Sequence, residues 1–228
     1  MTVLGAVGRA LDRLTDLLPA RAGAPLKRGR LRYDVAELPP PLGVPDQPVR
    51  VLIAPSNAAG QGWSFARALE GLDGVGARSL QISLDRDFGF PADARIRSEL
   101  TALSAPWRRR HFADACRFTH AIVESGRPQF GTMFGGRTAD EIAALRARGV
   151  RIAHLAHGSE LRQPDRHRAI DEWSPFREEG WDAIPTLTER SAAYRRLLTE
   201  TEAPVFVTTP DLLLDWPGAH WTPLVVDP

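Results

Sequence analysis

The chain has 228 residues, of which 43% are hydrophobic and 25% charged, and a formal net charge of +1. This is the composition of an ordinary soluble globular protein holding one large α/β domain, or a domain plus an arm, and it lacks the broad basic field that nucleic-acid binding needs. Cys116 is the only cysteine, which excludes an internal disulfide and argues against a structural zinc site; it reads as a small buried apolar residue.

In chain order, Val3, Leu4, Val7, Leu11, Leu14 and Leu18 recur at spacings of three and four, the stripe of an amphipathic helix. A basic cluster follows at Arg21, Lys27, Arg28, Arg30 and Arg32, and Lys27 is the only lysine of the chain. The run from Leu38 to Pro45 is proline-rich and cannot be helix. Residues 1–48 are therefore expected to form an arm, and residues 49–228 the domain. This arm either packs on protein or touches an anionic membrane surface. The arginines of Trp107-Arg108-Arg109-Arg110-His111-Phe112 either add to such a surface or form a solvated helix face over a buried tryptophan. The sequence contains no apolar run of transmembrane length and no signal layout, so a cytoplasmic location is expected, with contact at the inner face of the membrane as the open alternative.

The domain opens on Val49–Ala54, a short apolar run suited to a central parallel strand. A helix through Leu69 and Leu72 is expected next, then a strand at Ala77–Leu84, a polar stretch with a short helix at Ala94–Leu103, and a helix at Trp107–Phe118. Thr119–Glu124 reads as the third strand and Ser125–Arg137 as a glycine-rich loop. Thr138 and Glu141 fit a capping box for a helix running to Ala147, with Gly149 as its stop. Val150–Leu155 is the fourth strand. A long loop at Leu161–Pro185, a helix at Thr186–Thr199, a fifth strand at Ala203–Thr208 and a helical turn at Asp211–Asp215 complete the pattern. Strands alternating with helices predict a Rossmann-like open parallel sheet with helices on both faces.

In such a sheet ligands bind beyond the strand C-termini. That rule selects three loops: Ser56–Trp63, Ser125–Arg137 and Ala156–Arg162. In the first, Gly60, Gln61 and Gly62 lead into a helix, where small residues admit a ligand and the helix N-terminus favours an anion; a tight turn needs the same residues. The dinucleotide fingerprint is incomplete, because position 65 is Phe. In the third loop His157 stands at a strand tip beside Gly158, placed to hydrogen-bond a ligand or to brace the loop, whereas His154 in the strand body reads as a core histidine. Glu160 reads as a loop brace, a solvent-facing carboxylate or a general base. Ser125, Gly126, Arg127 and Arg137 fall on the same sheet edge and are expected to help bind a substrate. No metal-ligand spacing and no nucleophile elbow is present.

Asn57-x-x-Gly60-x-Gly62 after the first strand resembles the first loop of the N-terminal domain of GT-B glycosyltransferases. His157-Gly158-Ser159-Glu160 is similar to the HG(S/T)(D/E) element of the retaining, glycogen-synthase-like group. The run from Val207 through Thr209-Pro210-Asp211 to Leu213, then Trp221–Asp227, is similar to the last N-domain strand and the interdomain hinge of these enzymes; Leu224-Val225 stands where a second proline often occurs. The resemblance covers about Val49 to Pro228 and implies the N-terminal, acceptor-side half of a GT-B enzyme. The sugar of a nucleotide-sugar donor, a co-substrate rather than a cofactor, would pass to a glycan, lipid or small-molecule acceptor. By that resemblance His157 contacts the donor sugar, and Gly60, Gln61 and Gly62 face its phosphates. Asn57, Gly158, Ser159 and Glu160 belong to the substrate site. A C-terminal donor-binding domain is expected beyond the tail, without which the isolated chain would be inactive. Two other classes stay open: a non-catalytic Rossmann-like module that binds a ligand or partner, and a complete small nucleotide- or NAD-dependent oxidoreductase.

Overall fold

The computed structural model describes residues 35–83, 88–178 and 181–226. The expected helix at Val3–Leu18 and the basic cluster Arg21–Arg32 lie outside the described residues. The chain divides into two units after Leu38. Of the first, only a 3-10 turn at Val35–Glu37 and Leu38 are described. The second carries the sheet.

Its strands are Val49–Ala54 (β1), Val75–Ser83 (β2), Ala94–Arg97 (β3), His120–Glu124 (β4), Arg151–Ala156 (β5), Val205–Val207 (β6) and His220–Trp221 (β7). All pairs are parallel, and the order is β3-β2-β1-β4-β5-β6-β7. The helices are Gln61–Glu70 (α1), Ser98–Leu103 (α2), Ala105–Ala115 (α3), Thr138–Arg146 (α4), Pro164–Ile170 (α5), Ala183–Thr201 (α6) and Leu212–Asp215 (α7). This is a Rossmann-like α/β domain. The direction of strand addition reverses between β1 and β4, so a crevice opens beyond their C-terminal ends.

The strands are apolar because helices cover both faces. Val51 and Ile53 of β1 pack with Ala66 and Leu69 of α1 and with Ala77 and Ile122. On the other face Ala156, Val205 and Val207 pack with Tyr194 and Leu198 of α6. Leu52, Ile53 and Ala54 are fully buried, as a central strand with no solvent face requires. Each such Leu or Ile contributes about 1.5–3 kcal/mol through its removal from water.

Several expectations change. Ala94–Arg97 is a strand, not the start of a helix: Ala94 and Ile96 are buried, Arg95 and Arg97 exposed, a period of two, and the segment pairs with Leu80–Ser83. Only Ser98–Leu103 is helical. The long loop after Leu161 contains α5, started by Pro164, and a 3-10 turn at Pro175–Arg177. The exit segment contributes an edge strand, with His220 opposite Phe206 and Trp221 opposite Val207. The capping box does not form. Thr138 Oγ1 donates to the Gly126 carbonyl at 2.8 Å, and Glu141 turns to accept from the Gln129 and Phe130 amides at 2.8 and 3.0 Å. The glycine-rich loop outbids the helix end for both side chains. Burial pushes the Glu141 carboxyl up to about 7, against the pull of those two amides. Cys116 is half-buried rather than enclosed.

Candidate functional site

The crevice is organised by a residue the loops do not contain. β4 ends on Glu124, which is fully buried. Its Oε2 accepts from the Ser56 and Asn57 amides, at 3.0 and 2.9 Å, in the loop after β1. Its Oε1 lies 3.0 Å from His157 Nε2, just after β5. One carboxylate thus joins the C-terminal ends of β1, β4 and β5. It also lies against the start of α1: a Cβ placed on Gly62 would stand 3.0 Å from Oε1 and 3.1 Å from Oε2. The anion-favouring field of that helix N-terminus is therefore filled from within the protein.

His157 is the partner. Its side chain is 10% exposed. Burial works against its positive charge, but the hydrogen bond and charge of Glu124, with Glu160 behind them, outweigh burial and raise its pKa. Protonated, the ring donates from Nε2 to Glu124, and Nδ1, which has no partner among the described residues, is the edge left for a ligand. Glu160 is a brace, one of the roles expected of it. It accepts from the His157 amide, from the Gly158 amide at 3.1 Å and from Ser125 Oγ at 3.1 Å, which fastens the loop after β5 to the loop after β4.

The other expected residues divide into three groups. Asn57 is buried and its side chain is spent internally: Nδ2 donates to Gln81 Oε1 at 3.2 Å and to the Pro91 carbonyl at 2.8 Å, and Oδ1 accepts from the Trp63 amide at 2.9 Å. Gln61 is likewise committed, since Nε2 donates to the Val225 carbonyl at 3.1 Å and Oε1 accepts from the Val225 amide at 2.9 Å. Gly60 sits under the Phe90 ring, 3.2 Å from where its Cβ would be. Gly62, Ser125, Gly126, Arg127, His157, Gly158 and Glu160 gather around Glu124. Ser159 is exposed beside them. Arg137 is drawn elsewhere, 3.6 Å from Asp140 and 3.9 Å from Glu200, with no contact among the described residues to the Glu124 cluster.

α6 closes one side of the cluster. Gly126 has φ +62°, and a Cβ there would lie 2.4 Å from Tyr194 Cδ2, so only glycine lets the loop lie flat on the ring. Tyr194 is buried and its hydroxyl has no partner among the described residues. Burial, then the charges of Glu160 and Glu124, push its pKa well up. Arg162 binds Asp211 at 2.6 Å and Thr209 Oγ1 at 3.3 Å, and Thr208 Oγ1 donates to the His157 carbonyl at 3.3 Å. The loops after β5 and β6 are thereby knitted together. Burial raises the Asp211 pKa, but Arg162 and Thr209 outweigh it and the net shift is downward.

Outside the crevice, His154 is the core histidine expected: fully buried, Nε2 2.8 Å from Thr201 Oγ1, its pKa lowered by burial to about 4. Trp107 and His111 are buried in an aromatic stack, Arg108 donates to the Thr101 and Ala102 carbonyls, and Arg110 donates to the Pro39 carbonyl. Two of the three arginines in that run are thus structural braces. A furrow of about 710 Å³ lined by Arg50, Arg117, Arg148 and Arg151 lies at the opposite, N-terminal rim, away from the strand ends where this fold binds ligands. Among the described residues no group of three or more His, Cys, Asp or Glu could hold a metal ion, and no helix is long and apolar enough to cross a membrane. No protein family, curated protein or solved structure matches this chain.

Proposed function

We propose that this chain is the acceptor-side domain of a GT-B glycosyltransferase of the retaining, glycogen-synthase-like group, working with a second domain that grips a nucleotide-sugar. The observation that carries the reading is the Glu124–His157 hydrogen bond, which sets a proton-bearing imidazole beside the Gly62 turn at the strand-order reversal. In this role His157 presents Nδ1 to a sugar hydroxyl or ring oxygen. Glu124 orients the imidazole and favours its protonated form. Retaining transfer needs the acceptor held close to the donor carbon more than it needs a protein nucleophile. Because Glu124 already occupies the α1 N-terminus, the glycine turn meets the uncharged part of the ligand and the diphosphate falls to the other domain. Catalysis is then confined to the two-domain enzyme.

The test is ligand-observed NMR of the full chain against a panel of oligosaccharides, sugar nucleotides and inositol. Saturation transfer to a sugar, lost in His157→Ala and kept in the surface variant Arg168→Gln, supports the reading. No transfer to any sugar by a folded protein overturns it.

A second reading, a non-catalytic ligand-binding module, is favoured by one observation. Gln61 clasps the Val225 main chain from both sides, so the segment read as a hinge is bound down on the domain. Sugar binding without transfer, with a strictly folded tail, is what that reading expects.

A further inference from the structure

The α1 N-terminus is filled by Glu124, so any anionic group entering the crevice must be met by something else. Two arginines stand ready. Arg127 follows Gly126 in the loop after β4, is half-buried, and donates its amide to the Glu124 carbonyl at 3.2 Å. Arg190 lies on α6 four residues before Tyr194, and Tyr194 with Leu197 is the surface on which Gly126 rests. Positions 190, 194 and 197 form one helical stripe, so Arg190 extends the Gly126-facing side of α6 towards Arg127. The two charges feel each other: burial, then the Arg190 charge, lowers the Arg127 pKa, while Glu124 draws it up. Neither guanidinium makes an ion pair or side-chain hydrogen bond among the described residues, whereas Arg162, Arg137 and Arg177 are each engaged. Holding two like charges together, one of them half-desolvated, is unfavourable without a counter-ion. On the same helical stripe as Arg190, the buried Tyr194 hydroxyl has no partner among the described residues.

We propose that Arg127 and Arg190 form an oxyanion-binding subsite, beside the Glu124–His157 pair, for a phosphate or carboxylate group carried by the ligand. Arginine is suited to this because its planar fork meets two oxygens at once. Where the sugar-transfer reading holds, on which this assignment alone rests, the acceptor is an anionic molecule such as a phosphorylated polyol or an acidic sugar. The subsite itself needs no such reading.

The experiment is titration of the full chain with inorganic phosphate and, separately, malonate, followed by calorimetry and by the Arg Nε–Hε resonances. Arg127→Gln, Arg190→Gln and the double variant are compared with wild type and with Arg168→Gln, a surface control. Wild type and control should bind at least one of the two anions. Each single variant should weaken binding by about tenfold or more, and the double variant should abolish it. Phosphate alone binding identifies a phosphoryl group; both binding identifies a general oxyanion seat. Arg190 is exposed, so its variant guards against misfolding at Arg127. Absence of binding by the wild type, or affinities within twofold across all variants, overturns the subsite. Arginine-dependent anion binding with no sugar recognition supports the subsite and removes only its assignment to an acceptor.

Discussion

Glu124, the last residue of β4, and His157, the first after β5, meet at 3.0 Å on the rim of the sheet, and the same carboxylate accepts the Ser56 and Asn57 amides after β1. Two loops far apart in sequence, after β1 and after β5, therefore share one buried acceptor at the end of β4. Replacing Glu124 by Ala leaves two amides and an imidazole without it, and breaking a buried pair in this way costs about 3–5 kcal/mol. Urea unfolding should register that loss. Glu124→Gln keeps the volume and removes the charge. The His157 pKa, read from imidazole proton shifts, should then fall, because burial would be opposed only by the charge of Glu160. An unmoved His157 titration would mean that Glu124 does not set its protonation.

That pair also fixes a sign in the pH dependence. The folded-state pKa of His157 is raised above the unfolded value of about 6.5. The folded protein holds this proton more tightly, so the stabilisation is complete below about 6.5 and is lost as pH rises through the folded value. His111 acts oppositely. Burial lowers its pKa to about 4, so its contribution is complete above about 6.5 and is lost as pH falls towards 4. Unfolding free energies of wild type, His157→Asn and His111→Phe across pH 4–9 should separate the two. The wild type should lose its advantage over His157→Asn on the alkaline side, and relative to His111→Phe on the acid side. Parallel curves for all three proteins would refute both assignments.

The contact between Gly126 and Tyr194 predicts a third result. Ala at 126 combines a left-handed backbone, which costs an L-residue roughly 1–2 kcal/mol, with a methyl 2.4 Å from Tyr194 Cδ2. Overpacking adds about 1–3 kcal/mol. In Tyr194→Leu the same Gly126→Ala change should lose most of the overpacking part and keep the backbone part. A double-mutant cycle by urea denaturation measures the difference, and a coupling energy near zero would show that the loop does not rest on the ring.

The legible parts of this protein were those where one local signal dominates. β1 is found at Val49–Ala54 as its apolar run indicates, and β5 is displaced by one residue from Val150–Leu155. β3 was hidden because Ala94-Arg95-Ile96-Arg97 has only two inward residues, and its identity comes from pairing with β2. β7 is two residues long and likewise exists only by pairing, with β6. The capping box failed because a tertiary partner, the Gln129–Phe130 turn, claimed Glu141. At the crevice, His157 and the loops after β1 and β4 were legible from the strand-end rule, and Arg190 was not, since helix α6 gives no sign of which loop it will face. Glu124 was visible as part of a strand but not as its hub. The available signal was a lone carboxylate closing the apolar run Ala121-Ile122-Val123 just before Ser125-Gly126, a position that buries charge and so demands partners.

Gln61 offers the last prediction. Its side chain donates to the Val225 carbonyl and accepts from the Val225 amide, a two-way bond between the first turn of α1 and a segment 164 residues away. Gln61 is buried, whereas Leu224 and Val226 on either side of its partner are exposed, so little apolar packing holds the tail besides these bonds. Two neutral hydrogen bonds contribute about 1–3 kcal/mol together. Gln61→Ala should therefore free residues 223–226 locally without unfolding the sheet, since Thr222 keeps its own bond to the Val207 carbonyl and local opening draws only on the contacts of the segment that opens. Amide exchange at Val225 should accelerate by about tenfold or more, while exchange at Leu52 and Ile53 stays slow. If Val225 exchanges at the wild-type rate in the variant, the tail is held by something other than Gln61. If Leu52 accelerates equally, the clasp belongs to the global fold instead of to a tail that can detach on its own.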